Sequence, residues 1–153
     1  MTPQSTGQVP LGATVYLDTN ALIYIIEGSL KFKATIEAFL RHAVAANARL
    51  VTSELAITES LVLPLREQNT QLLIAYNELF DSFVHAEPIG RSILIRAAQM
   101  RAATKSLRTP DAIHLATAEK LQAALFVTGD VGLIVMPPMV RVLLNGGSRE
   151  PRT

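Results

Sequence analysis

The sequence predicts an α/β fold: a mainly parallel sheet with helices on both faces, three layers in all. Two observations carry this. Short runs rich in β-branched and apolar residues alternate with longer segments whose apolar residues recur every three or four positions, the patterns of buried strand and amphipathic helix. The stretches between the first four strand-like runs are also long enough for the helical crossovers that parallel pairing requires. With 153 residues the chain suits one core, so a single domain over 1–153 is expected, its folded part at about 13–144 and its polar ends at 1–12 and 145–153 fraying.

The elements follow in order. ATVYLD (13–18) reads as the first strand, and ALIYIIEG (21–28) continues at helical period with Gly28 to stop it. From 30 to 46, Phe32, Ile36, Phe39, Leu40 and Val44 form the apolar stripe of a second helix. ARLVTS (48–53) is a second strand, and helical patterns resume over 54–67 and 69–83. The latter carries Leu72, Leu73, Tyr76, Leu79, Phe80 and Phe83, a stripe broader than one core contact needs. FVHAEP (83–88) is a short third strand closed by Pro88, followed by a helix over 90–105. Thr109 is placed to cap a helix over 110–122, with Pro110 at its first position, where a missing N–H costs nothing. ALFVTG (124–129) is a fourth strand and MVRVLL (139–144) a fifth, after Pro137 and Pro138.

Composition excludes several classes. Mean hydropathy is +0.28, yet no apolar run reaches the roughly 18 residues that cross a bilayer. The N-terminal stretch lacks the cationic start and apolar block of a signal peptide, and there is no cysteine, so a cytoplasmic protein is expected. A net charge of +1 provides no bulk field for a polyanion, which must be held locally. GxxxxGK[ST], GxGxxG and GxSxG are absent, against a nucleotide triphosphatase, a dinucleotide enzyme and a serine hydrolase.

Parallel α/β sheets bind ligands outside the carboxyl ends of their strands. Four acids fall there: Asp18 closing the first strand, Glu59 on the helix leaving the second, Asp111 in the first turn of the helix before the fourth, and Asp130 just after that strand. Each alone has an ordinary explanation. Asp18 could cap a helix, Asp111 favour a helix dipole, Asp130 form a turn beside Gly129, and Glu59 lie on the surface. Together on one rim, like charges would oppose folding unless a cation neutralised them. Carboxylates alone suit Mg²⁺ or Mn²⁺ rather than zinc. The three histidines fit no zinc spacing, and His114, three residues after Asp111, is expected to pack or bond locally.

In the pieces YLDTNAL (16–22), TSELAITE (52–59), PDAIHLATA (110–118) and VTGD (127–130), the sequence resembles the PIN domain family, most closely its VapC-type toxin ribonucleases of type II toxin–antitoxin systems. The resemblance spans about 14 to 136 in the family's order. It implies a sheet ordered 3-2-1-4-5 and a Mg²⁺- or Mn²⁺-dependent endoribonuclease with one ion or two. It makes Asp18, Glu59, Asp111 and Asp130 both catalytic and metal-binding, with Asn20 and Thr128 as polar supports. A homodimer and a cognate antitoxin that covers the cleft are implied as partners. Glu54 competes with Glu59 for the second corner, and Glu59 lies where the family motif has its glutamate. Gly129 departs from the family, which often has a polar residue there, and puts the fourth corner in doubt.

Arg91, Arg96, Arg101, Lys105 and Arg108 bring five cations into eighteen residues ahead of Asp111 and are candidate RNA contacts, holding phosphates without sequence choice. The stripe from Leu72 to Phe83 suggests the homodimer contact. Two other readings stand beside the ribonuclease. One is a catalytically degenerate PIN-like module that binds RNA or protein. The other is a haloacid-dehalogenase-like phosphatase with Asp18 as nucleophile, which would want an acid where Asn20 stands and a lysine near its third motif.

Overall fold

Val15, Tyr16 and Leu17 expose no surface, which places their strand at the centre of the sheet. The structure, a computed structural model, describes residues 9–28 and 30–144. The chain runs β1 (Thr14–Leu17), α1 (Thr19–Glu27), α2 (Lys33–Ala45), β2 (Arg49–Ser53), α3 (Leu55–Arg66) and α4 (Thr70–Glu78). A wider turn of π type (Leu79–Phe83) leads to β3 (His85–Glu87), α5 (Arg91–Ala103), α6 (Thr109–Lys120), β4 (Leu125–Thr128) and β5 (Val140–Leu143). The strand order is β3-β2-β1-β4-β5 and every pair is parallel, as the sequence and its family resemblance imply.

Strand alternation divides the core. Val15 and Leu17 of β1, with Leu125 and Val127 of β4, pack against Ala21, Leu22, Phe32, Ile36, Phe39 and Tyr76 on one face. Tyr16 and Phe126 point the other way, to Leu115 and Ala118 of α6. α5 covers α6 from outside through Ile93 and Ala97 against Ala112, Ile113 and Ala116. Seven consecutive residues of α6, Ala112 to Ala118, are therefore buried, and this helix has sheet on one side and helix on the other. The small side chains at 112, 116 and 118 let it lie close to both.

Four expectations need correction. The stripe from Leu72 to Phe83 is mostly core, with Tyr76 and Leu79 buried and Leu72 and Phe80 packed against them, so it does not form a free apolar face. Tyr76 also donates its hydroxyl to Glu27, tying α4 to α1; burial first, then this carboxylate, pushes the phenol well above its usual pKa. The helix expected over 69–83 ends at Glu78, where the chain widens into the π-type turn. Thr109 is the first residue of α6 rather than its cap: Arg108 is extended and its carbonyl accepts Ala112 N–H at 3.0 Å, so the helix begins one residue early. Finally, residues 9–12 are not frayed, since Val9 packs against the core and Gly12 N–H bonds Ala46 O at 2.7 Å. The rest of the expected polar ends, 1–8 and 145–153, lies outside the described residues.

Candidate functional site

The strand order reverses at β1, whose neighbours β2 and β4 lead the chain in opposite directions, so the switch point lies between the carboxyl ends of β1 and β4. Asp18 and Thr128 stand there, and Asp18 N–H bonds Val127 O at 3.1 Å. Asp18 is the N-cap of α1, its Oδ1 accepting Ala21 N–H at 2.9 Å, so one ordinary explanation of this acid holds. It does not exhaust the residue. Asp18 is only 8% exposed, and its carboxyl is pushed up to about 6, by burial first and also by the charge of Asp111, against the lowering bonds from Thr128 and Ala21. Two acids 93 positions apart are thus near enough to repel.

Asp111 occupies the first turn of α6, where Arg108 Nε bonds its Oδ2 at 3.2 Å. Asp130 follows β4; its N–H donates to Thr128 Oγ1 at 3.0 Å and its Oδ1 accepts Gly132 N–H at 2.9 Å. Asp111 and Asp130 both line a groove of about 900 Å³, whose walls include Met100, Leu107, Leu133 and Met139. Of the five cations considered for RNA, Arg96 and Arg108 line it. Arg96 pairs with Glu119 at 3.0 Å, Arg101 donates to Leu107 O, and Arg91 and Lys105 are exposed.

Glu59 lies to the side, half-buried on α3. Its Oε1 accepts Thr19 Oγ1 at 2.7 Å and lies 2.8 Å from His114 Nε2. Burial pushes this carboxyl up, but the bonds from His114 and Thr19 outweigh it and leave Glu59 below the ordinary glutamate range. Glu54 is exposed at the start of α3, away from these partners. Asn20 is exposed on α1, and Thr19 beside it makes the inward hydrogen bonds.

His114 packs as expected, only 4% exposed and edge-on to Tyr16, but its hydrogen bonds are not local. It reaches from α6 to Tyr16 on β1, whose hydroxyl lies 2.6 Å from Nδ1, as well as to Glu59 on α3. The sequence contained a signal for this. Residues two apart on a strand and three apart on a helix share a face, so Tyr16 lies beneath Asp18 and His114 beneath Asp111.

Among the described residues, no three acidic or imidazole side chains stand close enough to share one ion. Asp18 and Asp111 are the pair whose charges meet, and oxygen donors of this kind fit a hard divalent cation.

The PIN domain profile matches residues 15–137. The chain belongs to the PIN domain family. Solved structures similar to this PIN domain include a toxin–antitoxin complex from Klebsiella pneumoniae, at 22% identity and a TM-score of 0.60, with 85% of this chain and 97% of that one covered. VapBC-1 from nontypeable Haemophilus influenzae is similar at 22% identity and a TM-score of 0.59, covering 77% and 87%. FitAcB from Neisseria gonorrhoeae is similar at 19% and 0.53, covering 77% and 88%. At these identities the likeness concerns the fold. Among curated proteins nothing matches the chain.

Gly129 of this PIN domain sits in a tight place. A Cβ there would meet Tyr24 Cε2 at 2.6 Å, so the Tyr24 ring takes the space a side chain would fill beside Asp130. Gly129→Ala is expected to displace that ring and cost about 1–3 kcal/mol by overpacking. Urea unfolding measures it, and a loss below about 0.5 kcal/mol, the range of ordinary surface changes, would place Tyr24 elsewhere.

Proposed function

We propose that the protein is a Mg²⁺- or Mn²⁺-dependent endoribonuclease, the toxin of a type II toxin–antitoxin pair. PIN domains are generally nucleases that depend on divalent metals. The observation that carries the reading here is the pair Asp18 and Asp111, brought from distant parts of the chain to one end of the sheet and charged against each other. A bound ion would supply the positive charge that screens the phosphodiester and makes a nearby water more acidic. Asp18 and Asp111 would hold it. Glu59, kept ionised by His114 and Thr19, offers a fixed acceptor to align the attacking water. Asp130, braced by Thr128, flanks the groove, and Arg108 is placed to exchange Asp111 for a phosphate oxygen. Attack by water leaves the 2′-hydroxyl out of the reaction, so 5′-phosphate and 3′-hydroxyl ends are expected.

Two similar solved structures, a toxin–antitoxin complex and VapBC-1, support an antitoxin as partner. A homodimer is proposed with its contact moved to Val62, Leu63 and Leu65 of α3 and Ile74 of α4, large apolar side chains that remain exposed. A cytoplasmic location fits a chain in which, among the described residues, no helix is long and apolar enough to cross a membrane.

One observation favours the catalytically degenerate binding module: no three acids gather among the described residues. Titrating Mn²⁺ into wild type and Asp111→Asn with an end-labelled RNA separates the two. Metal-dependent cleavage is expected in the wild type alone, with 5′-phosphate products. Equal cleavage by both proteins, or none by either, refutes the enzyme as drawn.

A further inference from the structure

Among the described residues, a polar chain of Tyr16, His114, Glu59 and Thr19 joins β1, α6, α3 and α1. Its geometry is specific. The imidazole uses both edges, Nδ1 at 2.6 Å from Tyr16 Oη and Nε2 at 2.8 Å from Glu59 Oε1, and the same Oε1 accepts Thr19 Oγ1 at 2.7 Å. An ionised carboxylate only accepts, so Nε2 carries the hydrogen. In the neutral ring Nδ1 is then an acceptor, and the one hydrogen of Tyr16 Oη points to it. Tyr16 keeps that proton, because burial raises its phenol well above the usual value.

The frame behind the chain is stiff. Tyr16 stacks on Phe126 with ring centroids 5.0 Å apart and meets His114 edge-on at 5.8 Å. His114 sits in the buried stretch of α6, one turn below Asp111, and cannot shift without moving that acid. The result is asymmetric: Oε1 of Glu59 takes two donors, while Oε2 takes none among the described residues.

We infer that His114, backed by Tyr16, is a positioning residue that pins Oε1 of Glu59 and leaves Oε2 as the oxygen this acid presents to the site. The inference rests on the nuclease reading for its purpose, but its geometry can be tested without it. Partners of this sort behind a ligating or water-binding carboxylate typically contribute roughly 10- to 100-fold to metal affinity or activity.

The test has three arms. Nitrogen-15 spectra of the metal-free protein are expected to show His114 carrying a hydrogen on Nε2; a bare Nε2 overturns the arrangement. Calorimetric binding of Mn²⁺ without RNA is expected to weaken roughly 10- to 100-fold in His114→Leu and to recover in His114→Gln, whose amide can still donate to Oε1. In a Glu59→Gln background, His114→Leu is expected to cost nothing further; a full second loss means that His114 acts only as packing and overturns the proposal. Should His114→Leu fail to fold, Tyr16→Phe, which keeps its ring on Phe126, replaces it and is expected to weaken binding in the same direction, an unchanged affinity being the contrary result. If the wild type binds no Mn²⁺, the nuclease reading fails, and the spectra still decide the orientation of the imidazole.

Discussion

Asp18→Asn is expected to abolish Mn²⁺-dependent RNA cleavage and, at pH 7–8 without divalent ions, to stabilise the fold. The two effects share one cause. The folded carboxyl titrates at about 6 because burial and then Asp111 oppose its charge, whereas the unfolded group titrates near 3.8. The folded state therefore binds a proton more tightly, and stability falls as pH rises from about 4 to 6, then levels off. Ionising this group costs the fold about 3 kcal/mol above pH 6. Asparagine cannot ionise and still caps α1, but it loses the hydroxyl bond from Thr128, worth about 1 kcal/mol, so the net gain is about 2 kcal/mol. Cleavage should fall at least about 1,000-fold, since an ion at such a site contributes several kcal/mol to the transition state. Urea unfolding from pH 4 to 8 and a cleavage assay test both halves. A wild-type stability that is flat over pH 4–6 removes the electrostatic argument, and surviving activity removes the catalytic one.

Phe126→Ala is expected to cost about 3–5 kcal/mol, the range for truncating a buried phenylalanine and leaving its cavity. Against a typical domain stability of 5–15 kcal/mol, that is enough to unfold much of the protein at moderate denaturant. Phe126 exposes no surface and is the platform on which Tyr16 stacks. The urea midpoint should drop with its slope unchanged. A loss under about 1 kcal/mol would mean that this face of the sheet is not close-packed.

The strands and the position of the rim were legible because punctuation marks them, whereas the strand order followed from the family resemblance. Asp18 ends a β-branched run, Pro110 opens a helix and Gly129 follows a strand, so the ends of β1 and β4 and the start of α6 could be placed before any contact was known. Identities across the sheet were not legible. The partners of His114 lie 55 and 98 residues away, and periodicity says which residues share a face but not what faces them. The same limit explains the stripe from Leu72 to Phe83. Counting apolar positions overstated its surface, because α4 and the turn after it press most of those side chains into the core beside α1 and α3. Thr109 was one residue out for a smaller reason: the extended residue before the helix is Arg108, a type rarely found as a cap.

Because α6 is walled in on both sides by small-residue contacts, it behaves as a keyed shaft. A bulkier side chain at Ala112 or Ala116, both buried against Ile93 and Ala97 of α5, would slide the whole element and carry Asp111 and His114 with it. The geometry of the rim is thus hostage to alanines buried behind it.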